Sequence, residues 1–246
     1  MKAGRHLLLL FILIVIPVCI AGSGQQQQRT EDKEALGRAM DYFKDGKYGE
    51  ALSLLTRLDK RYKLSPRIMG YIGICHYYEW NYKDAAKYLD SVMPQLEVFA
   101  PGERNMYYFA CAESHFNTQE YAKALPMYEK MLNVCSENEK GDAYYKIGFC
   151  NLITSGMYEE GDSLYERHRL LAYENFTSSL QYYQMFNTAN VSSARMTQLR
   201  KMINGLTKPE LFLENDHTDS ITADTVAISE TGSIAISETD SVTNIK

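Results

Sequence analysis

Few side chains in this sequence could carry chemistry, and they gather around His76, Cys111 and His115. Cys111 precedes His115 by four residues, one helical turn, so the pair would share a helix face and could offer two ligands to a metal ion. Only three potential ligands converge. His76 and His115 also fall at corresponding places in a recurring pattern, and Tyr42 fills that place earlier in the chain. A position that takes either phenol or imidazole reads as an inward packing site, so no metal is expected. His115 has no carboxylate three or four residues away to serve as a proton-transfer partner.

The chain has no Gly-Lys-Ser/Thr phosphate loop, no Gly-x-Ser-x-Gly elbow and no His-Glu-x-x-His motif. The expectation is a protein without catalytic residues or cofactor, taking no small-molecule substrate. The formal charge of -5 is concentrated at one end, since Leu213 to Lys246 holds seven acids against one base. The remainder is near neutral and lacks a basic patch to neutralise phosphates, which argues against nucleic acid as a partner.

What must position these side chains is a short unit copied along the chain. Tyr48 and Ala51 return 34 residues later as Tyr82 and Ala85, then as Tyr121 and Ala124, and again as Tyr158 with Gly161 in the alanine's place. Leu36, Ala39, Met40 and Phe43, like Ala51, Leu54, Leu55 and Leu58, recur at three- and four-residue steps, the period of an amphipathic helix. Gly46 can take the positive φ that ends one helix, and Pro66 can open another where its missing N–H costs little. Trp80 stands where Gly46 stood, which predicts a different turn with the indole over the helix ends. The interval stretches to 39 residues across Pro94 to Gly102, and the fourth unit has one extra residue in its turn.

A 34-residue period with a small residue in a first helix, an aromatic after the turn and alanine in a second helix resembles the tetratricopeptide repeat. The resemblance covers about residues 32–169 well and extends weakly to 204. It implies an all-α, right-handed α-solenoid that acts as a protein-binding scaffold. Four clear units are predicted near 32–65, 66–104, 105–140 and 141–172, followed by a degenerate helical pair over 174–205.

By that family's register the first helices line a concave groove. The groove would receive Met40 and Phe43 from unit one and Arg67, Ile74, Tyr77 and Tyr78 from unit two. Unit three would supply Phe109, Glu113, Phe116 and Asn117, and unit four Tyr145, Phe149 and Leu152. The Lys, Arg and Asn set with which some members clamp a terminal carboxylate is largely missing. The implied partner is an apolar peptide or helix of another protein. Two alternatives stand beside it: the aromatics are inter-helix core, or a carboxy-terminal helix such as Leu206 to Leu213 fills the groove.

The ends of the chain differ in composition from this body. Lys2 and Arg5 precede the apolar run Leu7 to Ile16, with Ala21 to Gly24 as small residues where a peptidase could cut. Residues 1–24 therefore read as a signal peptide, too short for a spanning helix, and place the protein in the periplasm or cell envelope of a bacterium. Cys19 offers an alternative as a lipidated residue, the sole route to membrane contact; Val18 before it fits that motif poorly. With lipid, the exported start and repeat layout would resemble outer-membrane assembly lipoproteins. Residues 25–31 read as a flexible lead-in. Cys75, Cys111, Cys135 and Cys150 lack the spacing of a stapled domain and read as small buried apolar residues, a Cys135 to Cys150 disulfide being the alternative.

Residues 206–246 are rich in Ser, Thr and acids, carry no helical period and read as disordered. Asp219-Ser220-Ile221, Asp224-Thr225-Val226 and Asp240-Ser241-Val242 look like the Asp-Ser/Thr-aliphatic acceptor for O-linked glycan in some exported bacterial proteins, with a plain solvated tail as the alternative. Asn175-Phe176-Thr177 also matches an N-linked glycan sequon, to which a bacterial setting gives little weight.

Overall fold

The computed structural model describes residues 26–186 and 193–206, and these are helical with no strand. Helix α1 covers 26–44. It is followed by α2 (Tyr48–Asp59), α3 (Pro66–Tyr78), α4 (Tyr82–Val92), a 3-10 turn at Met93–Val98, α5 (Pro101–Asn117) and α6 (Tyr121–Leu132). The last three are α7 (Glu137–Ser155), α8 (Ser163–Phe186) and α9 (Ser193–Gly205). From α2 onward each helix packs on the next, and α3 also touches α5, the first helix of the following hairpin. Hairpins α1–α2, α3–α4, α5–α6 and α7–α8 are thus stacked in series. The predicted signal peptide, the acceptor motifs and all of the acidic tail after Leu206 lie outside the described residues.

The seam inside each hairpin follows from two residue types at fixed spacing. Ala39, Gly73, Ala112 and Gly148 hold corresponding places in the first helices, where a side chain larger than alanine would block the approach. A Cβ on Gly73 would lie 2.6 Å from Leu89 Cγ, and one on Gly148 2.7 Å from Phe176 Cδ1. Leu55, Leu89, Tyr128 and Phe176 are the large second-helix residues set against these positions, and all are essentially excluded from solvent. Ala51, Ala85, Ala124 and Ala172 sit one turn earlier and are equally buried. Phe43, Tyr48 and Tyr71 pack against both the first and second core clusters, so burial continues from hairpin to hairpin.

The turns repeat as well. Gly46 has φ +72°, and Trp80 and Gln119 adopt nearly the same left-handed conformation at φ 64° and 63°. Trp80 therefore makes the same turn as Gly46, not a different one, and its indole is 78% exposed, not laid over the helix ends. Pro66 opens α3 as expected, with Ser65 Oγ accepting the N–H of Ile68 at 3.5 Å.

Two boundaries depart from the sequence reading. Residues 26–31 are helical, not a flexible lead-in, and Gln28 Nε2 donates to Asp32 one turn on at 3.3 Å. Larger is the change in the fourth unit. Tyr158 and Gly161 lie in the loop between α7 and α8, with Gly161 at φ +93°, so they do not match Tyr121 and Ala124. The small-residue-to-alanine step is twelve in the first three hairpins but twenty-four from Gly148 to Ala172. The twelve added residues lengthen both helices and the loop. Asn151 bonded to His168 at 2.9 Å and the Tyr158 ring stacked on His168 at 5.8 Å brace the longer tip. Residues 174–186 consequently belong to α8, and the predicted last helical pair is replaced by α9 packed alone against α8. Leu206, placed at the start of the predicted tail, is buried with Phe176 and Leu199.

Candidate functional site

The predicted groove residues divide once their contacts are known. Phe43, Tyr78 and Phe109 line a cavity of about 340 Å³ together with Tyr48, Met106 and Met131, and buried Ile74 forms part of its wall. Most of the wall comes from α1, α3 and α5, Tyr48 opens α2 and Met131 lies on α6, and Glu139 and Asp142 of α7 also line the cavity. Tyr78 stacks on Tyr48 at 4.0 Å between ring centres, yet it remains 45% exposed, and Met106 is 42% exposed. Met106, one turn before Ala110 on the same strip as Phe109, escaped the sequence reading, although its spacing from Phe109 puts it within reach of that face.

Other expected groove residues are occupied in holding hairpins together. Arg67 Nε lies 2.8 Å from Glu103 of the next hairpin, and its guanidinium rests over Phe99 at 4.7 Å. Glu113 accepts from Tyr128 Oη at 2.6 Å and from Lys146 Nζ at 2.8 Å, with Lys146 itself 4.0 Å over the Phe116 ring. These charged residues are inter-helix links, not open contacts for a ligand. Tyr77, Phe116, Tyr145 and Phe149 are half-buried and paired edge-on or tilted: Tyr77 with Phe109 at 5.7 Å, Phe116 with Phe149 at 5.5 Å, Tyr145 with Phe176 at 5.9 Å. Burial pushes the Tyr77 phenol well above its ordinary value. Met40 packs against the cluster of Ala39, Leu55 and Ile72, Leu152 against that of Ala172, Phe176 and Leu199, and Asn117 is exposed with its amide donating to Glu113 O at 2.7 Å. These four aromatics pack between helices while keeping part of their surface in solvent, and Phe43, Ile74, Tyr78 and Phe109 are the expected groove residues that line the cavity.

A second cluster forms around His115. Its Nε2 is 3.0 Å from Asp90 Oδ1 of α4, and its Nδ1 is 2.8 Å from Glu120 Oε2 in the turn after α5. The imidazole does have carboxylate partners; they lie five residues ahead and twenty-five behind, outside helical spacing. Hydrogen bonding to Asp90 and Glu120 raises the imidazole pKa above its ordinary value despite burial. Glu120 is lowered to about 2, chiefly by Lys123 and then by His115. His76 at the same register shows the opposite behaviour. It stacks on Tyr88 at 5.5 Å, its Nδ1 is buried without a partner, and burial lowers its pKa. One repeat earlier, Thr56 and Asn81 stand in the places of Asp90 and Glu120.

Cys111 Sγ donates to Asp90 Oδ1 at 3.4 Å and makes no bond to the imidazole, while burial pushes its thiol far above the ordinary value. That is the reverse of an activated nucleophile, which needs a depressed thiol pKa. All four cysteines of the described residues are free, so Cys135 and Cys150 are not bridged. The Asn175-Phe176-Thr177 sequon lies inside α8 with Phe176 fully buried, and Asn175 Nδ2 already donates to Leu171 O at 2.7 Å.

Helical hairpins in series, each closed by a small residue of its first helix against a large one of its second, make this chain a tetratricopeptide-type solenoid. No protein-family model matches the chain, and no curated protein matches it. Among solved structures, residues 41 to the end of MamA from Desulfovibrio magneticus RS-1 are similar at 18% identity, covering 75% of this chain and 97% of that one, with a TM-score of 0.44. The C-terminal part of a TPR repeat-containing protein from Cytophaga hutchinsonii is similar at 13% identity, covering 72% and 98%, with a TM-score of 0.28. Neither likeness bears on what this chain binds.

Proposed function

We propose that this protein is a non-enzymatic scaffold of the bacterial cell envelope that holds an apolar peptide or helix of a partner protein. The observation that carries the reading is the cavity walled by Phe43, Tyr78, Met106 and Phe109. These side chains come from the first helices of three successive hairpins, and Tyr78 and Met106 stay open to solvent. Exposed aromatics and methionine give large, adaptable contact area at modest entropic cost. An apolar side chain of the partner would sit on this wall while its backbone tracked the hairpins. Placement in the envelope is supported by the charged start and short apolar run of residues 1–24.

The test is a Tyr78→Ala, Met106→Glu double variant used to retain partners from envelope extract. Both residues are exposed, so the melting temperature should hold while retention of a specific partner is lost. Retention of the same partner by wild type and variant would sink the reading. Cell fractionation checks the compartment. Palmitate labelling separates a cleaved soluble form from one lipidated at Cys19.

A further inference from the structure

We propose that Asp90, Cys111 and His115 form a binding site for a divalent transition-metal ion of the zinc class, with Glu120 orienting the imidazole. Their ligand atoms lie within 4.8 Å of one another, His115 Nε2 being 3.0 Å and Cys111 Sγ 3.4 Å from the same Asp90 oxygen. Tetrahedral zinc with ordinary Zn–N, Zn–O and Zn–S bonds separates its ligand atoms by roughly 3.4 to 3.6 Å. The three side chains therefore need only small shifts to close on one ion. Glu120 at His115 Nδ1 is the carboxylate that metal-bound histidines commonly carry on their other nitrogen, fixing the tautomer with Nε2 free to ligate.

The fold does not demand this cluster. At the same register in the preceding hairpin, His76 has Ile72 in place of Cys111, Thr56 in place of Asp90 and Asn81 in place of Glu120. That histidine packs as an ordinary ring against Tyr88. The His115 ring is only 2% exposed, and both of its nitrogens face carboxylates supplied from outside its own helix. A bound ion replaces the Nε2 contact to Asp90, and both the proton held in that contact and the thiol proton pass to solvent, leaving neutral imidazole, carboxylate and thiolate on the metal.

Two carboxylates and a thiolate bring three negative charges. Facing them are Lys123, which is tied to Glu120 at 2.7 Å, and Lys83 and Lys87 of α4 across a cleft of about 370 Å³. Asp90 and His115 line that cleft together with the lysines, so water or a small anion in it could complete a four-coordinate shell.

The experiment uses untagged full-length protein freed of metal with a chelator and titrated with Co²⁺ and Zn²⁺. One equivalent of Co²⁺ should produce tetrahedral visible bands and a cobalt–thiolate charge-transfer band, and Zn²⁺ should displace it and raise the melting temperature. Cys111→Ser should abolish the charge-transfer band, Asp90→Asn should weaken binding at least tenfold, and Cys135→Ser should leave both unchanged. Asp90 is half-exposed, so its variant keeps the test valid if Cys111→Ser folds poorly. Absence of a thiolate band, or a band that survives Cys111→Ser, would overturn the site and leave His115 as a buried histidine hydrogen-bonded to two carboxylates.

Discussion

The close approach of Gly148 to Phe176 allows a double-mutant cycle that tests the seam and the position of the fourth hairpin together. Phe176 is fully buried, and truncation of such a residue to alanine costs about 3 to 5 kcal/mol. At this chain length that lowers the melting temperature by roughly 6 to 20 °C. A methyl group on Gly148 would sit 2.7 and 2.8 Å from two ring atoms of Phe176. Contact between carbons is comfortable near 3.5 to 4.0 Å, and overpacking of this kind costs about 1 to 3 kcal/mol. Against that, Gly→Ala inside a helix returns about 1 kcal/mol.

Gly148→Ala alone is therefore neutral to about 2 kcal/mol destabilising. In the Phe176→Ala background the ring is gone, the clash vanishes, and the same substitution should stabilise by about 1 kcal/mol. The coupling between the sites is then about 1 to 3 kcal/mol, well beyond the additivity expected of independent positions. Urea unfolding followed by far-ultraviolet circular dichroism, with unchanged m-values, supplies all four corners. Tyr158→Ala is the control, because repeat spacing alone would make that residue the seam aromatic. Additive effects, or a Phe176→Ala cost below that of Tyr158→Ala, would refute the placement of Ala172 and Phe176 in the fourth seam.

Three further outcomes follow from single contacts. Gly37 lies within α1, and a methyl group added there would have nothing within 4 Å, so Gly37→Ala should stabilise by up to about 1 kcal/mol in the same urea assay. Asp32 is held below the usual carboxylate range by the Tyr62 hydroxyl, at 2.8 Å, and by Arg61, at 2.9 Å. A depressed folded pKa gives stability that is present above the unfolded value of about 3.9 and lost as pH falls through the folded one. The melting-temperature gap between wild type and Asp32→Asn should accordingly close on acidification below about pH 4, and a constant gap from pH 7 to 3 would contradict it. Burial raises the thiol pKa of all four described cysteines, but Cys135 is only half-buried while Cys75, Cys111 and Cys150 are buried, so a thiol reagent should label Cys135 ahead of those three in native protein, read by mass spectrometry.

The sequence by itself determined the hairpins that keep strict spacing. Ala39 with Ala51, Gly73 with Ala85 and Ala112 with Ala124 are local signals, because a seam of fixed helix geometry requires a small residue at each place. Tertiary structure alone decided the fourth hairpin. Its insertion lies between Gly148 and Ala172, and a loop that happens to contain Tyr158 and Gly161 imitates the motif, whereas burial of Ala172 and Phe176 does not show in the period. The same holds for the sites. Aromatic residues at first-helix positions were legible, but whether a ring faces the cavity, as Tyr78 does, or a neighbouring hairpin, as Phe149 does, depends on how the hairpins are stacked. His115 was visible as a histidine on an inward face. Its two carboxylates come from an adjacent helix and from a turn, and only the folded chain brings them to the ring.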